Sequence, residues 1–259
     1  MTRSFSPSCP DPVRFAVMRQ EWRDLAYIHW RYEPSVVQAL LPEQLTVDTF
    51  DGSAWVGLIP FSMRNIGLPH GPSVPYLGSF PEINVRTYVI RDGRPGVWFF
   101  SLDVNRFLPA VVARLTYRLP YCWGRASHEV SDDLWTTRVR RRWPHAVEAN
   151  EILLQPGEEI EPDQLDHFLT ARWGLYSRSG RGVRYAPVDH EPWPLRAARL
   201  ERADTSLVTA AGLPEPVGEP HVRCSPGVSV RIGRPRRVDG GHEKFSSLDC
   251  RAKGFGSYV

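Results

Sequence analysis

The sequence predicts a mainly β chain of the α+β class, with one antiparallel sheet curled about a core and a few short helices laid outside it. Three observations carry this. Apolar and polar residues alternate with a period of two over many short stretches. Turn dipeptides, among them Asp51-Gly52, Asp92-Gly93 and Pro95-Gly96, punctuate those stretches. Helical spacing of apolar residues is confined to short segments. The chain has 259 residues, 42% hydrophobic and 24% charged, the balance of an ordinary globular protein.

In chain order, residues 1–12 are rich in Pro and Ser and are expected to be loose. Residues 22–32 alternate as a strand, with Arg23, Leu25, Tyr27, His29 and Arg31 on one face. Pro34 opens a short helix at its favoured first position. Residues 45–50 and 54–63 form a hairpin about Asp51-Gly52. The Gly- and Pro-rich stretch 67–79 is a long loop, of the length that often covers a site.

Residues 80–104, FPEINVRTYVIRDGRPGVWFFSLDV, form the central hairpin. On its first strand Ile83, Val85, Thr87 and Val89 face one way; Glu82, Asn84, Arg86 and Tyr88 face the other. The return strand is apolar on both faces, through Val97, Trp98, Phe99, Phe100 and Leu102, which sets the hairpin deep in the protein. An acid, an amide, a guanidinium and a phenol on a buried hairpin predict the lining of a cavity; a wet outer face is the alternative.

Leu108, Val111, Val112 and Leu115 predict a helix over 108–118, stopped by Pro120. Residues 121–154 hold three strands, with turns near 131–133 and Pro144. A second helix spans 162–172, with Glu158, Glu159 and Glu161 at its positive end. Strands follow about Leu175, over 183–188 and over 195–202. Asp204 caps a helical piece running to Ala211, and 228–232 is the last strand. Residues 13–238 are thus one domain, and the basic, Gly-rich stretch 239–259 is a disordered tail.

Composition narrows the function. The net charge of +3 gives no basis for nucleic-acid binding, and the basic run at 138–142 reads as a solvated strand face. Cys9, Cys122, Cys224 and Cys250 form no CxxC pair, so no metal, cofactor or disulfide framework is expected. No apolar run suggests a signal peptide or a membrane span, which predicts a cytoplasmic protein without membrane partners. Of the 32 Lys+Arg, 30 are arginine, so lysine chemistry is nearly absent.

The segments LLPEQLTVDTFDGSAWVGLIPF, FPEINVRTYVIRDGRPGVWFFSLD, ARLTYRLPY and HEPWPLRAA resemble the YqjF-like family of uncharacterised bacterial proteins, over roughly residues 13–238. That family is similar in fold to acetoacetate decarboxylase, which implies a barrel-like curled sheet around a small cavity. In the decarboxylases a lysine forms a Schiff base with the substrate ketone. The reactive stretch falls on residues 113–122, where Arg114 and Pro120 match. Tyr121 stands in place of the reactive lysine and Cys122 in place of its neighbour, so Schiff-base decarboxylation is not expected. The resemblance also places a pocket arginine on Arg23 and a pocket glutamate on Glu82.

The candidate catalytic residues are therefore Glu82, His29 and Tyr121, and the candidate binding residues Arg23, Arg86, Asn84 and Tyr88. His190 and Trp193 read as packing residues. Arg23, Arg86 and Glu82 together leave one positive charge, which favours a small carboxylate as ligand. Two functions fit: a lysine-independent enzyme performing enolisation, dehydration or aldol-type chemistry, or a non-catalytic small-molecule binder or sensor. The oligomeric state is not readable.

Overall fold

The computed structural model describes residues 5–73, 78–107, 118–180 and 182–238. The helix expected over 108–118, with Arg114, lies almost wholly outside the described residues, as does the tail from 239. Among the described residues the chain runs β1 (Ala16–Tyr32), α1 (Pro34–Gln38), β2 (Thr46–Val47), β3 (Ala54–Gly67), β4 (Phe80–Arg91), β5 (Arg94–Val104), β6 (Tyr121–Val130), β7 (Trp135–Trp143) and β8 (Asn150–Glu159). It continues through α2 (Gln164–Thr170), β9 (Gly174–Ser179), β10 (Gly182–His190), β11 (Arg196–Ala203), α3 (Ser206–Ala210), β12 (His221–Gly233) and β13 (Arg236–Val238). This is the mainly β architecture that the alternation predicts.

The strands belong to a single large sheet. Antiparallel pairing runs from β12 through β1, β3 and β4 to β5. From β5 the sheet passes in parallel to β9, then antiparallel to β10 and back to β12. The return seams are short: Val97 and Trp98 against Leu175 and Tyr176, and Val188 to His190 against Ile232 to Val230. The sheet therefore curls back on itself without being a regular barrel. It is also not wholly antiparallel, because β5 runs parallel to β6 and β9. Parallel neighbours need a long crossover, and the stretch between β5 and β6 is long enough to supply one.

The β4 row reads as predicted on its apolar side. Ile83 and Val85 pack with Ile28, Val56, Leu58, Val139 and Ile152. The phase of β1 does not hold. Asp24 adopts the left-handed region (φ 56°), and the register against β3 slips between Arg23 and Ile28. This β-bulge turns Trp22 and Leu25 to the same side of the sheet and Arg23 to the other. Across from it, Arg23 pairs with Gly227, whose φ is +117°. A Cβ at Gly227 would collide with the Trp22 carbonyl oxygen, so the bulge needs glycine as its partner.

The helix ends follow local chemistry. Asp163 and Asp166 form a reciprocal capping box on α2. At α3 the cap position is Thr205; Asp204 instead accepts the Glu151 N–H, because β8 lies within its reach. Near the N-terminus, Phe5 stands edge-on to Phe168, ring centroids 5.2 Å apart, which ties this otherwise irregular segment to the domain.

Candidate ligand cavity

Residues of β1, β3, β4, β5, β9, β10 and β12 line a cavity of about 350 Å³. Its most ordered wall is one face of β4, where Phe80, Glu82, Asn84 and Arg86 follow each other at every second position. At the rise of an extended strand, Glu82 and Arg86 lie about 13 Å apart along the chain, and Phe80 and Arg86 about 20 Å. The polar groups therefore form two stations.

The first station is Glu82. It is 2% exposed, and the Tyr121 hydroxyl donates to its Oε2 at 3.1 Å. Burial pushes its carboxyl up to about 8, against the hydrogen bonds of Tyr121 and Asn84 and with a small contribution from the negative charge of Asp103. At neutral pH Glu82 is thus mostly a neutral acid with a proton to give.

The second station is Arg86. Its Nη2 donates to the Leu169 carbonyl at 3.3 Å, while its Nε has no hydrogen-bond partner among the described residues. The guanidinium carbon stands 5.6 Å from the ring centroids of both Tyr27 and Tyr88. No carboxylate among the described residues pairs with it. Arg172, on the same wall, differs: its Nη1 donates to Asp48 at 2.6 Å and its Nε to the Phe168 carbonyl at 2.6 Å.

His190 also lines the cavity. Its Nδ1 lies 2.7 Å from the Glu191 carbonyl, which can only accept, so Nδ1 carries the proton and Nε2 keeps a lone pair. Burial lowers the pKa of the ring, and the charge of Arg86 adds to the lowering against the hydrogen bond from Glu191. Trp193 hydrogen-bonds the Thr170 carbonyl at 3.1 Å and stacks on Trp22 at 6.1 Å.

Four of the sequence-predicted residues, Glu82, Asn84, Arg86 and Tyr121, meet at the cavity. Tyr88 and His29 lie behind the wall. The Tyr88 hydroxyl donates to the Leu169 carbonyl at 2.7 Å, so its oxygen accepts from His29 Nε2 at 2.7 Å. His29 is fully buried and its pKa is held well below the usual value by burial, which suits a neutral packing ring. Arg23 is turned outward by the Asp24 bulge, and its Nε and Nη2 donate to Glu21 at 3.1 and 2.9 Å. Trp22 takes the place on the wall that simple alternation assigns to Arg23. His190 and Trp193, read as packing residues, are on the wall too. Their signal was a histidine followed by a tryptophan held between two prolines in HEPWPL, but nothing in that stretch says which side faces a cavity. Among the described residues, no cluster of His, Cys, Asp or Glu could hold a metal ion, and no helix is long and apolar enough to cross a membrane.

The curled sheet and its internal cavity define an acetoacetate decarboxylase-like fold. The structure is similar to that of an acetoacetate decarboxylase-like enzyme from Sphingomonas wittichii, with a TM-score of 0.60 and 14% identity over 87% of this chain and 94% of the other. It is also similar to the enduracididine biosynthesis enzyme MppR in complex with pyruvate, with a TM-score of 0.59 and 13% identity over 92% of this chain and 99% of the other. Within that fold, the chain belongs to the DUF2071 family, described as an uncharacterized conserved protein, which it matches over residues 19–229. It is 33% identical over 215 residues to the uncharacterized protein YqjF of Bacillus subtilis, covering 82% of this chain and 88% of that one.

Proposed function

We propose that the cavity binds an organic acid and that the protein is a lysine-independent enzyme moving protons on it, in an enolisation, dehydration or aldol-type step. The observation that carries this reading is Arg86, a buried guanidinium with no carboxylate partner among the described residues, on the wall of a cavity. A buried charge calls for a counter-charge, and a guanidinium fork matches a carboxylate. The charge balance agrees. Glu82 and His190 are neutral at pH 7 and Arg172 is paired with Asp48, which leaves the single positive charge of Arg86.

Glu82 and His190 have pKa values pushed in opposite directions, so an acid and a base coexist at neutral pH. In enolisation, His190 Nε2 takes a proton from the carbon beside the ligand carbonyl. The C–H electron pair becomes the C=C bond, and Glu82 gives its proton to the oxygen of a ketone that lies along the chain from the carboxylate on Arg86. Reversal restores both groups. Tyr121 holds the Glu82 carboxyl in place, at the position where the decarboxylases carry their lysine. Lys244 and Lys253 lie outside the described residues. The pyruvate complex of MppR supports an oxo acid as the ligand class.

The test is incubation in heavy water with unbranched oxo acids whose ketone is placed from C2 to C7, following exchange beside the ketone by NMR. Exchange by the wild type, lost in Glu82→Gln and Arg86→Met, is expected, with no lysine adduct after borohydride. Saturable binding without exchange would replace the enzyme by a non-catalytic binder or sensor, a reading that the mostly apolar walls favour.

A further inference from the structure

We infer that the ligand is a monocarboxylic acid with an extended apolar tail of about six to eight carbons, its carboxylate on Arg86 and its tail beyond Glu82. The inference rests on the carboxylate reading of Arg86 and adds a substrate class to it. Three observations carry it.

The first is polarity along the cavity. Arg86, Thr170 and Arg172 are all on its wall, while His190, which feels the charge of Arg86, stands 6.4 Å from the Trp22 ring and so lies between the two ends. At the opposite end of the β4 row, Phe80 pairs with Met63 on β3, and Met63 pairs with Trp22 on β1. These three side chains stand abreast on adjacent strands and all line the cavity, with Met18 and Ile66 beside them. Gln20 is the polar residue among them. The second is length: Arg86 and Phe80 lie about 20 Å apart along the strand, further than a three-carbon acid can reach. The third is volume. A cavity of about 350 Å³ holds about a dozen non-hydrogen atoms at about 30 Å³ each, and a three-carbon oxo acid fills about half of it. The methionines at the apolar end suit a flexible chain, because an unbranched thioether adapts to it.

The test uses the wild-type chain and the fluorescence of Trp22 and Trp193 on the cavity wall, with calorimetry as the second readout. The probes are unbranched acids from butanoate to dodecanoate and the primary alcohols of the same lengths. The dissociation constant of the acids is expected to fall about fourfold per added methylene, then to level off when the cavity is full, near heptanoate to nonanoate. The alcohols bind at least tenfold more weakly, and Arg86→Met removes that preference while keeping the dependence on length. A dissociation constant independent of length, or binding of short oxo acids alone, overturns the tail and leaves the carboxylate reading standing. Alcohols as tight as acids overturn the carboxylate reading itself, and with it the class of ligand, even if the length series persists.

Discussion

Arg141 and Arg86 are both buried arginines, and their surroundings are opposites. Arg141 reaches β5 on the side away from the cavity. Its Nε and Nη2 each donate to Asp103 at 2.6 Å, and Nη2 also donates to Ser101 at 2.9 Å. Arg86 has a long hydrogen bond to a carbonyl, a side-chain contact with the Tyr88 hydroxyl and an Nε without a partner among the described residues. Burial alone therefore does not tell the two apart; the saturation of their donors and the cavity beside Arg86 do. The first closes a network inside the fold, and the second leaves one open.

The largest expected effect comes from breaking the closed network. Asp103→Ala should cost about 3–5 kcal/mol in urea unfolding, because it strands a buried guanidinium. A loss below about 1 kcal/mol would show that Arg141 finds another partner and would blur the contrast.

Next is the titration of Glu82. Its pKa is raised from 4.5 to about 8 in the folded chain. Between those values the native state holds a proton that the unfolded state has lost, so stability falls as pH rises through this window and levels off above it. The slope is at most about 1.4 kcal/mol per pH unit. Glu82→Gln should abolish this contribution, so the variant gains on the wild type from pH 5 to 8 when melting is followed across pH. Parallel curves for the two proteins would remove the neutral acid from the cavity.

Arg86→Met should act in the opposite sense to a change at Arg141. Removing an unpaired buried charge should leave stability unchanged or raise it by up to about 2 kcal/mol, measured by urea unfolding without ligand. A large loss would make Arg86 another structural arginine. The smallest effect is expected of Arg23→Gln. Its pair with Glu21 is about a third exposed, so the cost is at most about 1 kcal/mol, and acid binding should be unchanged. Weakened acid binding would return Arg23 to the site.

These contrasts mark how far the sequence could be read. The β4 row was legible because period-two alternation runs unbroken from Phe80 to Tyr88, and the apolar return strand announced its burial. Tyr88 still ended behind the wall, since α2 packs against it there and Phe168 approaches its ring to 5.4 Å. The β1 face was misread at Arg23 because the Asp24 bulge depends on the glycine of a strand some two hundred residues away. His190 and Trp193 were seen but not placed, since only the return of β10 to β12 turns them toward the interior. The parallel contacts of β5 were equally hidden, for they depend on crossovers and not on any residue of β5.

The Asp24 bulge makes the cavity sensitive to Gly227, a position outside its wall where any side chain would deny the bulge its room. Flattening the bulge with Asp24 retained would restore simple alternation through β1, sending a guanidinium inward at Arg23 and an indole outward at Trp22. The interior would then gain one positive charge with no substitution in its own wall. A substitution beside a bulge is thus a route to new ligand charge, and comparisons limited to the residues of the wall would overlook it.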